Sequence, residues 1–134
     1  MSEESKDKLE REMPEVSRFI DDKIEEWNRS ERTPPKNRAT ALRRLKSHCR
    51  EALRLRMELL DKFIRQIDRD ILQQYERYGH MSKQMSNQEH RRTELIEEKE
   101  GFAYLKDNLG HVFSKFEDDI FNRIKRSTVE KSET

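Results

Sequence analysis

Apolar residues recur at three- and four-residue steps through the longest run free of Gly and Pro. They are Leu42, Leu45, Cys49, Ala52 or Leu53, Leu60, Phe63 or Ile64, Ile67, Ile71, Tyr75 and Tyr78. Steps of that size align side chains along one face of an α-helix, here long enough for about ten turns. A helix of this kind gains most of its stability by burying its stripe, so the rest of the chain should supply the cover. Val16, Phe19, Ile20, Ile24 and Trp27 predict a shorter helix before it. Leu95, Phe102, Leu105, Leu109, Val112, Phe116, Ile120 and Ile124 predict a long one after it.

Local signals set the expected boundaries. Pro14 is tolerated in a first turn but not in a helix interior, so the first helix should start near Met13. Ser30 to Asn37 interrupts the pattern, and Thr33 with Pro34 has the form of an N-cap followed by a first helical residue. Gly79 should close the second helix in a left-handed conformation. A polar turn over Gly79–Met85 follows, and Ser86-Asn87-Gln88-Glu89 has capping-box spacing for the third helix. Gly101 and Gly110 fall inside that helix at about 1 kcal/mol each relative to Ala, a cost that a close helix approach would explain. The expected fold is all-α, an antiparallel three-helix bundle with a short first helix and a long coiled-coil-like hairpin. Residues 1–12 should fray, 13–126 form a single domain, and 127–134 form a disordered tail.

In the hairpin, Leu60 should fall near Ala103, Leu53 near Leu109, Cys49 near Phe113 and Leu42 near Ile120. Charge supports that alignment. From Arg32 to Arg56 nine Lys/Arg face one acid, Glu51, whereas Glu94 to Asp119 holds eight acids and three lysines. Arg43 and Arg44 should lie beside Asp118 and Asp119. Single exposed pairs contribute only about 0–1 kcal/mol, but together they disfavour slipped registers.

Composition narrows the class. Charged residues are 43% of the 134, mean hydropathy is −1.23, and net charge is only +1. Balanced charge with helical periodicity fits long exposed helices, not a disordered chain. The single cysteine, Cys49, excludes an internal disulfide and fits a reducing compartment, cytoplasmic or nuclear. The opening Met1-Ser2-Glu3-Glu4 lacks a secretory pattern, and no stretch has the roughly 20 apolar residues of a membrane span.

The chemistry-bearing residues are sparse. His48, His80, His90 and His111 have neither i,i+4 spacing nor a cysteine partner, so no metal site is expected. No Gly-rich phosphate loop or nucleophile elbow is present, and a thin helical rod offers no deep pocket. We therefore expect no catalysis and no cofactor. The cations Arg38, Arg43, Arg44, Lys46, Arg50, Arg54 and Arg56 invite a nucleic-acid reading. Acidic flanking helices and the lack of interleaved aromatics for base stacking argue against it. The remaining candidate is a protein-binding face: Glu58, Asp61, Arg65 and Asp68 opposite the second helix's core stripe, with Arg92 and Glu100 on the third.

At these residues the chain resembles the BAG domain. On the second helix of that family a Glu is followed by apolar residues at helical spacing and an Asp ten residues on. Glu58-Leu59-Leu60-Asp61-Lys62-Phe63-Ile64-Arg65-Gln66-Ile67-Asp68 has that form. On the third, Arg92, Leu95 and Ile96 match a basic residue followed by apolar ones, while Glu100 stands in place of a Gln and Lys99 in place of an apolar residue. The resemblance spans about residues 52–115 and implies a cochaperone that binds the nucleotide-binding domain of a DnaK-type heat-shock chaperone and promotes nucleotide release. It also implies that Glu58 and Asp68 pair with basic groups on the chaperone and Arg92 with an acidic one. The second helix is also similar to the dimerising N-terminal helices of ING-type chromatin proteins. The alternative is a coiled-coil structural or adaptor subunit, possible as a homo-oligomer, motivated by Leu55, Leu59, Leu72 and Phe121 lying off the main stripe.

Overall fold

In a computed structural model of the 134-residue chain, residues 7–29, 35–79 and 82–133 are described, with side chains as far as Ser127. The described residues are helical, without strands: α1 Lys8–Glu12, α2 Pro14–Arg29, α3 Arg38–Tyr78, α4 Lys83–Asp107, α5 Leu109–Lys115 and α6 Glu117–Glu133. They form two compact units. The first comprises residues 1–52 and 108–134, the second residues 53–107.

The first unit holds most of the buried apolar residues. α2 contributes Val16, Phe19, Ile20, Ile24 and Trp27, α3 contributes Ala41, Leu45 and Cys49, and Leu109, Val112, Phe113, Phe116, Ile120 and Ile124 come from α5, α6 and the residue between them. Trp27 thus belongs to the core of its own chain. Where fraying was expected over residues 1–12, Lys8–Glu12 is helical. Asp7 caps it by accepting the Glu10 amide at 2.8 Å, and Leu9 is fully buried. Pro14 separates α1 from α2: the residue before a proline is driven out of the α region, and Met13 sits at φ −134°, ψ 65°. At the other end, α6 continues through Glu133 where a disordered tail was expected from 127. No Gly or Pro interrupts it, and Asn28 of α2 donates a hydrogen bond to the Ser127 hydroxyl.

The first turn of α3 is capped by Asn37, whose side chain accepts the Thr40 amide at 3.0 Å. The Thr33–Pro34 start expected from sequence lies outside the described residues. The third predicted helix is interrupted at Asn108 and Phe116, although the amides of Val112, Phe116 and Ile120 each still reach the carbonyl four residues back at 3.0 Å. Arg38, not Arg43 or Arg44, meets the acids at the start of α6, with 3.0 Å contacts to Glu117 and to Asp118. Its guanidinium also lies 4.5 Å from the Phe121 ring. Phe121 is therefore partly covered.

The second unit is a two-helix hairpin. Gly79 closes α3 as expected, at φ +70° with its amide 2.7 Å from the Tyr75 carbonyl. The return helix begins earlier than Ser86. Ser82 is the cap, accepting the Met85 amide at 3.1 Å, and Ser86–Glu89 lies inside α4. Leu53, Leu60 and Ile64 of α3 and Met85, Leu95 and Phe102 of α4 are buried. The ambiguous core position is Ile64, since Phe63 is 50% exposed. Gly101 and Gly110 do not mark a close approach: a Cβ at either would have no neighbour within 4 Å.

Candidate protein-binding surface

The six residues singled out from sequence all lie on the hairpin, and their neighbours differ from those expected. Asp68 accepts a hydrogen bond from Arg92 Nε at 2.6 Å, and Asp61 lies 2.7 Å from Lys99 Nζ. These pairs bridge α3 and α4, joined nearer the turn by the 3.1 Å Gln74–Gln88 bond. Asp61 and Asp68 thus flank the helix seam and do not face away from it. At about 100° per residue they fall only about a quarter-turn from the Leu60–Ile64–Ile67 stripe. The cation that meets Asp61, Lys99, lies about one helical turn before Ala103, which lines the same cleft. Lys99, the cation at a position where the BAG pattern has an apolar residue, is the partner that holds Asp61.

Glu58 pairs along its own helix with Arg54. Arg65 and Glu100 are exposed. Asp61, Arg92, Lys99 and Glu100 rim a shallow cleft floored by Ile64, Ile96 and Ala103. The structure therefore brings Asp61, Asp68, Arg92 and Glu100 together, while Glu58 and Arg65 stand apart from the cleft lining.

The side of α3 opposite Asp61 and Asp68 has a different character. Leu55, Leu59 and Phe63, spaced i, i+4, i+8, are 52%, 48% and 50% exposed. Leu72, Tyr75 and Tyr78 continue the exposed apolar residues of α3, and Tyr104 adds one from α4. Every large exposed hydrophobic among the described residues belongs to the hairpin. A two-helix hairpin covers one stripe per helix, so apolar residues placed elsewhere stay in water. Exposed apolar residues clustered in this way mark contact surfaces.

A buried polar cluster in the first unit was not anticipated. Arg123, 7% exposed, forks onto Asp7, with Nη2 to Oδ1 at 2.5 Å and Nε to Oδ2 at 2.8 Å. Its Nη1 donates to the Ser17 hydroxyl at 2.6 Å, the Ser17 carbonyl at 3.3 Å and Asp21 at 3.1 Å. Burial would raise Asp7, but the Arg123 fork and the Glu10 amide outweigh it and hold the carboxyl below its ordinary value. Burial lifts Asp21 above its ordinary value, only partly offset by Arg123. The cluster thus ties α1, α2 and α6 together. A lone Arg on a mostly polar helix gave no signal of burial in the sequence.

Cys49 is fully buried, and burial pushes its thiol up to about 12. It is core, not nucleophile. No cluster of three or more His, Cys, Asp or Glu able to hold a metal occurs among the described residues, and no described helix is long and apolar enough to cross a membrane. No protein-family model, curated protein or solved structure matches the chain.

Proposed function

We propose that this chain is a non-catalytic protein-binding helical module whose docking element is the hairpin of residues 53–107. The observation that carries this reading is the confinement of the large exposed hydrophobics to that hairpin. Exposed Leu, Phe and Tyr side chains supply the apolar anchors that dominate interface energetics. The salt-bridged pairs Asp61–Lys99 and Asp68–Arg92 on the same hairpin add charged groups that favour correctly charged partners. The reading retains an antiparallel three-helix bundle with α2, α3 and the run α4–α6 as its legs.

The partner implied by the BAG resemblance is the nucleotide-binding domain of a DnaK-type chaperone, with nucleotide release following from tighter binding to the open cleft. Such a partner has to exchange the Asp68–Arg92 pair for intermolecular ones. Titration calorimetry of the full chain against that purified domain tests it. Saturable binding, weakened by about 2–4 kcal/mol in Arg92→Ala, supports the cochaperone reading, and absence of heat ends it.

The second reading, a coiled-coil or adaptor subunit, is favoured by the Leu55–Leu59–Phe63 ridge, which lies apart from the BAG-like charged residues. Light scattering distinguishes it: a mass well above 16.3 kDa supports self-assembly, and a clean monomer leaves a partner-binding module.

A further inference from the structure

Several of the acids that flank the arginines of α3 in the first unit are paired with other cations. Arg38 holds Glu117 and Asp118. Asp21 is bound to Arg123, Glu25 pairs with Arg29 at 2.9 Å, and Glu26 pairs with Lys23 at 3.2 Å. Arg43, Arg44 and Arg50 are exposed and make no ion pair among the described residues. The acid nearest them in sequence, Glu51, is itself engaged.

Position on the helix gathers these cations. Arg43 and Arg50, seven residues apart, share a line about 10 Å long on the face opposite Leu45 and Cys49, and Arg44 lies about a third of a turn round the helix from that line. Exposed Ser47 lies between them as a hydroxyl donor, and no large exposed hydrophobic occurs on α3 before Leu55. A protein interface needs an apolar centre, which this face lacks. Cations with hydroxyl donors are instead the groups that contact phosphate and sugar. Over about 10 Å a duplex presents roughly six phosphate charges. Single strands are gripped by aromatic stacking, and this ridge has no aromatic.

We infer that the Arg43–Arg44–Arg50 ridge binds the phosphate backbone of duplex nucleic acid without sequence preference, a surface independent of the hairpin. The ridge would let the chain hold a duplex on one unit and a protein on the other. Fluorescence anisotropy of the full chain with a labelled random-sequence duplex, from about 50 mM salt upward, should show micromolar binding that falls linearly on a log–log salt plot. The triple variant Arg43→Gln/Arg44→Gln/Arg50→Gln should keep its helical circular dichroism, weaken binding at least about tenfold and flatten the slope by about 0.9 per arginine removed. Lys62→Gln/Arg65→Gln/Arg77→Gln, with the same change in net charge, should stay within about twofold if the ridge and not overall charge attracts the duplex. Absence of saturable binding, equal loss in both triple variants, or preferential capture by phosphatidylserine vesicles or polyglutamate would each overturn the inference.

Discussion

Asp7 and Arg123 lie 116 residues apart in sequence and form a two-pronged ion pair, with Arg123 almost wholly removed from water. The pair binds the first described residue of the chain to α6 and gives the five-residue α1 a fixed place. A helix that short has no stability of its own. Its order depends on Arg123 and on burial of Leu9.

Removing Arg123 should therefore be costly. Arg123→Ala strands Asp7 and the Ser17 hydroxyl, and loss of one member of a buried pair costs about 3–5 kcal/mol. Asp7→Asn keeps part of the hydrogen bonding and should cost less. Urea denaturation of both variants checks the order.

Acid should weaken the fold through the same contact. The Arg123 guanidinium and the Glu10 amide hold Asp7 below its ordinary value in the folded chain, so its contribution is complete above the unfolded value and is lost as pH falls through the lower folded one. His48 adds to this from about pH 6.5 downward, because burial, and then Lys23, hold its folded value below the ordinary 6.5. Asp21, raised by burial, acts in the opposite sense, but its side chain is largely exposed and solvent screening reduces its share. Melting temperature should fall from about pH 6 to 3, and the slope below pH 4 should shrink in Asp7→Asn.

Neighbouring positions on α3 should respond very differently to truncation. Ile64 is buried and Phe63 half-exposed, so Ile64→Ala should cost about 2–4 kcal/mol and Phe63→Ala less than about 1 kcal/mol. Equal losses measured by chemical denaturation would show that the seam is misplaced.

The glycine in α4 should be improvable. A methyl group at Gly101 meets nothing within 4 Å and the backbone is helical, so Gly101→Ala should raise stability by about 0.5–1 kcal/mol. A lower melting temperature would mean that the position is crowded.

Much of the helical pattern was legible because apolar periodicity reports burial directly: Leu45, Cys49, Leu60, Ile120 and Ile124 are all buried. Gly79 was readable from the conformation only glycine adopts cheaply. Other features were not readable, for physical reasons. The choice between Phe63 and Ile64 depends on how few helices cover the hairpin, which periodicity does not encode. The pairing of Asp61 with Lys99 and Asp68 with Arg92 depends on register, and a balanced pattern of charges is compatible with registers one turn apart. Arg123 was missed because burial of a charge depends on partners that converge only in the fold, Asp7, Ser17 and Asp21. Ser82 lost to Ser86 as the expected cap because Ser86 has a Glu three residues later and Ser82 does not.

The most direct test of the hairpin as the protein-recognition element is quantitative affinity capture with the wild-type chain and with Leu55→Asp/Leu59→Asp/Phe63→Asp. All three positions are half-exposed, so the variant should melt within a few degrees of wild type. A partner should be recovered by the wild type and lost by the variant. Recovery of the same partner at the same level by both proteins would contradict it.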